Sequence, residues 1–215
     1  MMSLRCAALV AGGLVLAGCA LTQQSAGPTI QQVRAQIHAG DYVAASPDLR
    51  ILAERGDPSA QLMMGALYEA GHRVPQDSGE ARRLYELAAA QDHAPAFGLL
   101  GRMYEMGRGG SQDLAKAVYF YERGIAAGDD WSAFARAFQH ETGEGAEHNM
   151  AEAVRLYRMA ADQGHTRAIT RLGILHMRGA GVERDLAEAR RLLEKAAPDS
   201  ELARTMLARV QEMEG

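Results

Sequence analysis

The stretch AITRLGILHMRGAGVERDLAEARRLLEKAA, residues 168–197, has earlier copies of itself in the chain. Its Ala189 stands 36 residues after Ala153, and the same step leads back to Ala117, Ala81 and Ala45 with no insertion or deletion. Asp185, Asn149, Asp113, Asp77 and Asp41 keep that step, as do Gly179, Gly143, Gly107 and Gly71. Tyr157, Tyr121 and Tyr85 keep it too, with Leu193 in their place in the last copy. Self-similarity at roughly 20 to 50 residues marks a solenoid, in which neighbouring copies bury one another's apolar faces.

Each copy reads as two helices. In PSAQLMMGALYEAG, Ala60, Met64, Leu67 and Tyr68 fall at helical spacing, Asp57 sits at the N-cap, Pro58 opens the first turn, and Gly71 ends the helix. In DSGEARRLYELAAAQ, Asp77 and Glu80 have capping-box spacing, and Ala81, Leu84, Tyr85 and Ala88 form one apolar stripe. NMAE at Asn149 and DLAE at Asp185 repeat the box, whereas DLAK at Asp113 keeps only the cap. Gly65, Gly101, Ala137 and Gly173 occupy one recurrent mid-helix position. Glycine there costs about 1 kcal/mol of helix propensity relative to alanine, which close approach of the paired helix would offset. No segment alternates as a strand does, so the expected fold is all-α.

The pattern A-x3-LG-x2-Y-x2-G-x-G-V-x2-D-x3-A-x2-WY-x2-AA resembles the Sel-one-like repeat, a relative of the tetratricopeptide repeat. Residues 168–197 carry it with His176 at the tyrosine position and Leu192 and Leu193 at the aromatic pair. The second copy carries it through Leu100, Gly101, Tyr104, Gly107, Gly109, Asp113, Ala117, Phe120 and Tyr121. Four units span residues 57–197, preceded by N-terminal helices with a half repeat at 30–56 and followed by a capping helix at 198–215. The resemblance implies a right-handed α-solenoid whose first helices line a concave surface that binds other proteins. Cysteine-rich members of that family join paired helices by disulfides. This chain has no cysteine in its repeats, so activities tied to that subgroup do not carry over.

The third unit departs from its sisters. Where they have Met64, Leu100 and Leu172 it has Arg136, and where they have Leu67, Met103 and Leu175 it has Gln139. Its apolar bulk sits at Trp131, Phe134 and Phe138, on one helical face. Phe134 and Phe138 are two residues from the expected core positions, about 200° around the helix. In the tetratricopeptide-like register that face lines the groove, between Arg102, Glu105 and Met106 on one side and Arg167, Thr170 and Ile174 on the other. Trp131, Phe134 and Phe138, framed by Arg102 and Arg167, would form an interface hot spot for an acidic or carboxylate-bearing partner. The alternative is a helix rotated about its axis so that the three aromatics join the core. The constant period on either side leaves no inserted residue to absorb a slip.

The N-terminus bears on location. Arg5, an apolar run from Cys6 to Leu16, and small residues Ala17 and Gly18 have the outline of a signal peptide, residues 1–18. The run is short of the roughly 20 apolar residues that span a bilayer. Leu16, Ala17, Gly18 and Cys19 resemble the lipobox of bacterial lipoproteins at every position. That resemblance implies acylation of Cys19, which would anchor the chain in a bilayer, and Ala20 in place of an aspartate favours the periplasmic face of the outer membrane. The alternative is an ordinary signal peptide in which Cys19 has no role. Residues 19–29 read as the lipidated cysteine and a tether, with Gly27 and Pro28 at its end. Cys6 would leave with the signal and Cys19 would be acylated, so no disulfide is expected.

Charge and motifs limit the functions open to such a chain. The net charge is −4 and falls to −5 once Arg5 is lost with the signal, which gives no electrostatic footprint for nucleic acid. The seven histidines follow the repeat: His140 and His176 replace the pattern's tyrosine, and His93 and His165 fall at turns between units. No HExxH, paired-cysteine or nucleophile-elbow motif is present, and the GxG at Gly107 and Gly179 lies between helices. Recurrent Glu69, Glu105 and Glu141 read as a solvated face rather than catalytic carboxylates. The expectation is therefore a non-enzymatic scaffold without cofactor, metal or catalytic residue. It would bind a periplasmic or outer-membrane protein in a secretion, polysaccharide-export or cell-wall assembly. A module that stacks glycan or peptidoglycan fragments on its aromatic stripe is the alternative.

Overall fold

The computed structural model describes residues 27–214. The signal segment, Cys19 and the tether up to residue 26 lie outside the described residues. Among the described residues there are eleven α-helices and no strand. Helices α1 (Ile30–His38) and α2 (Tyr42–Glu54) precede the full units. The units are α3 (Pro58–Ala70) with α4 (Ser78–Ala89), α5 (Ala94–Met106) with α6 (Leu114–Ala126), α7 (Asp130–Thr142) with α8 (Met150–Asp162), and α9 (Thr166–Arg178) with α10 (Leu186–Ala196). Helix α11 (Glu201–Glu214) packs on α10 and α9. Each helix rests on its chain neighbour, and α7 also touches α5 as α11 touches α9, which is the stacking of an α-solenoid. None of these helices is long and apolar enough to cross a membrane.

The recurrent residues set the helix boundaries. Asp77, Asp113, Asn149 and Asp185 adopt extended backbone and accept the N–H three residues on, at 3.0, 3.0, 3.1 and 2.9 Å. The glutamates of the expected capping boxes turn the other way. Glu80, Glu152 and Glu188 each clasp the arginine three residues ahead with both oxygens: Arg83, Arg155 and Arg191. These guanidinium bonds hold all three carboxyls below the usual carboxylate range. An ion pair one turn away on an exposed face competes with the free backbone N–H, and here it prevails. A reciprocal capping box does occur at Thr29 and Gln32, at the start of α1. Each first helix of a full unit ends on Gly71, Gly107, Gly143 or Gly179 in the left-handed region, where a side chain would be strained.

Close helix pairing explains the recurrent small residue. A Cβ on Gly65 would fall 2.6 Å from the Tyr85 ring, and one on Gly173 would fall 2.7 Å from Leu193 Cγ. The rings of Tyr85, Tyr121 and Tyr157 are fully buried, and their hydroxyls donate to Glu69, Glu105 and Glu141 at 3.1, 2.9 and 2.6 Å. This corrects the solvated-face expectation for those glutamates. Each is sheltered because it satisfies a buried phenol, whose pKa rises through desolvation and the neighbouring carboxylate.

The apolar interior forms three clusters: one from Val33 to Leu84, one from Ala81 to Tyr121, and a larger one from Ala133 to Val210. Ala117 has no exposed surface and sits in the second. Ala117→Leu is expected to overpack it by about 1 to 3 kcal/mol. An unchanged melting temperature would show that the alanine series is not a packing position.

Candidate functional site

Helix α7 keeps the repeat register although its core positions are polar. Arg136 and Gln139 are 8% and 3% exposed, beside the fully buried Ala137, so the rotated arrangement is not adopted. Their burial is made tolerable by a continuous network. Arg136 Nε donates to Glu122 Oε1 at 3.1 Å, and its Nη1 donates to Gln139 Oε1 at 2.6 Å. Gln139 Nε2 donates to Glu105 Oε1 at 2.6 Å, and the other oxygen of Glu105 accepts from Tyr121. None of the side chains in this network, Arg136, Gln139, Glu105, Glu122 and Tyr121, leaves a buried polar atom without a partner, as a polar core requires.

With the inward face taken by that network, the aromatics stand on the groove side. Trp131, Phe134 and Phe138 are all half-buried. The inner edges of Phe134 and Phe138 rest on the third core cluster. Phe134 lies 5.6 Å from Trp131 and stacks on His165 at 4.7 Å, ring centre to ring centre. Helix α5 makes room for Trp131 with a glycine: a Cβ on Gly98 would fall 2.7 Å from Trp131 Cδ1. Helices α5 and α7 lean on one another, as do α9 and α11, but α7 and α9 touch little. Between them opens a cavity of about 460 Å³. Phe134 and Phe138 line it from α7, Arg167, Thr170 and Arg171 from α9, and Ser200 and Leu202 from the start of α11.

The cations around this floor are not equivalent. Arg102 lies 5.9 Å from the Trp131 ring centre, and its Nη2 donates to Glu69 at 2.8 and 3.0 Å, a carboxylate shared with Arg108 at 3.0 Å and with Tyr85. Arg167 lies 5.8 Å from the same ring, is exposed, and has no ion pair among the described residues. Arg171 lies 5.2 Å over the Phe138 ring and touches Glu141 at 3.4 Å. Of the five residues expected here, Phe134, Phe138 and Arg167 line one cavity; Trp131 stands beside it against the Phe134 ring, and Arg102 reaches the Trp131 ring but not the cavity lining. Arg171, Ser200 and Leu202 were not foreseen. Arg171 is one turn beyond Arg167, which is the signal that could have found it; the two α11 residues come from a helix that repeat spacing does not place.

His165 joins the groove to the fold. Its Nδ1 accepts the Ala168 N–H at 3.2 Å, so a neutral imidazole serves as the N-cap of α9. Burial holds its pKa below the ordinary value; Asp130 and Asp129 oppose that, and Arg167 adds to it. A histidine with a lowered folded pKa contributes stability that is intact above its unfolded pKa of about 6.5 and is lost as pH falls from there toward the folded value. Losing the cap costs about 1 kcal/mol, so the melting temperature is expected to drop by a few degrees between pH 7 and pH 5. His93, also lowered by burial, adds to the slope. His165→Asn, which caps without titrating, should flatten it; an unchanged slope would remove His165 as the cause.

Among the described residues, no group of His, Cys, Asp and Glu is arranged to hold a metal ion. The Sel1 repeat matches residues 58–93, 99–129, 134–165 and 166–197, more than half of the chain. The chain belongs to the Sel1 repeat family. A Sel1 repeat protein from Oxalobacter formigenes has a similar structure, with a TM-score of 0.76 and 24% identity over 84% of this chain and 74% of that one. A protective antigen of uropathogenic Escherichia coli strains, displaying an SLR fold, has a TM-score of 0.68 and 27% identity over 84% of this chain and 43% of that one. A Sel1 repeat protein from Klebsiella pneumoniae has a TM-score of 0.57 and 16% identity over 84% of this chain and 90% of that one. No curated protein matches the chain. The fold is thus the right-handed α-solenoid of Sel1 repeats. Sel1 repeat proteins are generally non-catalytic scaffolds for protein–protein interaction.

Proposed function

We propose that this Sel1 repeat chain is a lipid-anchored envelope scaffold. Acylated Cys19 holds it at the periplasmic face of the outer membrane, and the groove between α7, α9 and α11 recruits a protein partner of a secretion, polysaccharide-export or cell-wall assembly. The observation that carries the binding half is the third-unit reversal. A buried polar network occupies the core face of α7, and Phe134 and Phe138, displaced from it, line a cavity beside Arg167, which has no ion pair among the described residues. A photo-crosslinking amino acid at position 138, activated in living cells and followed by mass spectrometry, tests it. One envelope protein captured repeatedly from position 138 and not from position 119 on α6 supports the reading; equal capture from both sites overturns it.

The anchor has its own test. Cys19→Ala is expected to abolish acylation and to shift the chain from the membrane fraction to an uncleaved or soluble form. Wild-type chain with an unmodified N-terminus would overturn the anchor and leave the groove untouched. For a glycan or peptidoglycan-fragment ligand, sugar stacking needs a free ring face, and two guanidinium groups stand by the Trp131 ring. Sedimentation with purified cell wall compares that ligand directly with protein capture.

A further inference from the structure

We propose that the occupant of the groove is the C-terminal residue of the partner protein, with its apolar side chain on Phe134, Phe138 and Leu202 and its terminal carboxylate between Arg167 and Arg171. This rests on the groove being the binding site and names what enters it. The cavity, about 460 Å³, is in the range that encloses a small group and not a folded element.

Charge makes the occupant anionic. Arg167 has no ion pair among the described residues, and Arg171 has only Glu141 at 3.4 Å, a carboxylate that already accepts from Tyr157 at 2.6 Å. The cavity therefore offers more positive charge than it neutralises, within a chain that is acidic as a whole. The 14-residue α11 starts at its border, where Ser200 Oγ caps by accepting the Ala203 N–H at 3.1 Å; Glu201 in that first turn offsets the helix-dipole end, so the positive charge comes from the two arginines.

Spacing makes the anion terminal. The Arg171 guanidinium stands 5.2 Å over the Phe138 ring, so the apolar and cationic elements lie side by side. A C-terminal residue carries its carboxylate on the same Cα as its side chain. An acidic neighbour within an extended segment points to the opposite face, and the next residue on the same face is about 7 Å away. The built site matches the first arrangement. Arginine suits it further, because a guanidinium can bind a carboxylate through two parallel hydrogen bonds.

The test uses the full chain, immobilised, and a pool of N-acetylated hexapeptides randomised at the last two positions, as free acids and as C-terminal amides. Retained peptides are sequenced, and Trp131, the only tryptophan, reports occupancy by fluorescence. The expected result is enrichment of Phe, Leu, Ile or Met at the last position of the acids. The amides should bind about tenfold weaker or less tightly still, a difference of about 1.4 kcal/mol. Arg167→Gln with Arg171→Gln should erase the acid–amide difference, and Arg167→Gln alone should reduce it. Acids and amides that bind equally, with binding still lost in Phe138→Ala, would overturn the terminal carboxylate while sparing the groove. Stronger binding by amidated peptides with an internal Phe-Asp pair would do the same. Absence of binding by either pool would overturn the proposal, and crosslinking from position 138 then decides separately whether the groove binds a protein.

Discussion

Glu105→Ala is expected to lower the unfolding free energy by about 2 to 5 kcal/mol. The side chain accepts from Tyr121 at 2.9 Å and from Gln139 at 2.6 Å, and those donors belong to residues that are 0% and 3% exposed. Each buried donor left without a partner costs about 1 to 3 kcal/mol, and Arg136, which leans on Gln139, loses its orientation too. The contrasting variant is Arg136→Leu with Gln139→Met, which restores the residues of Leu100 and Met103. Replacing buried polar partners by apolar groups together is often neutral or stabilising; the exposed Glu122 loses only a surface pair, and Glu105 gives up the bond from Gln139 but keeps the one from Tyr121, so this variant is expected to lose less stability than Glu105→Ala. Chemical denaturation of the two variants measures both. Equal destabilisation would show that the network contributes net stability and is not merely satisfied.

Phe138→Ala should cost the partner about 2 to 4 kcal/mol of affinity, roughly thirtyfold to a thousandfold. Stability should fall less than the 3 to 5 kcal/mol, approximately, of a fully buried phenylalanine, because one side of this ring faces the cavity. Arg171, stacked over the ring, remains tied to Glu141 after the truncation. Binding and thermal unfolding of one purified variant separate the roles. A large drop in melting temperature with unchanged affinity would make Phe138 a core residue and nothing more.

Periodic features were legible in the residues. Asp77, Asp113, Asn149 and Asp185 cap as their spacing requires, and the glycines from Gly71 to Gly179 close the first helices, because each acts within a few residues of itself. The reversal at Arg136 and Gln139 was legible as a departure from sister units. Which groups would answer it was not, since Glu105 and Glu122 come from α5 and α6 and meet α7 only through stacking. Glu69, Glu105 and Glu141 were misread for a related reason: their tyrosine partners lie 16 residues on, across the turn of each helix pair. Arg102 looked available until Glu69, 33 residues earlier, was placed beside it. The groove was half legible, with α7 and Arg167 evident and the α11 border invisible to a 36-residue rule.

The division of the interior into three clusters also sets how the chain comes apart. Stability in a solenoid is close to a sum of unit and nearest-neighbour contributions, so the junction with the least apolar continuity separates cooperative blocks. Between the cluster that ends at Tyr121 and the one that begins at Ala133, the polar network of Glu105, Gln139, Arg136 and Glu122 takes core positions, and Ile125 and Ala135 are the partly buried apolar residues that cross. Polar contacts there can exchange with water, so the block from α7 to α11 is expected to open and close as a unit apart from the block before it, which amide hydrogen exchange would measure. A ligand seated among α7, α9 and α11 slows opening of that block alone, by mass action. Occupancy of one face would thereby become a difference in exchange lifetime between the two halves of the chain.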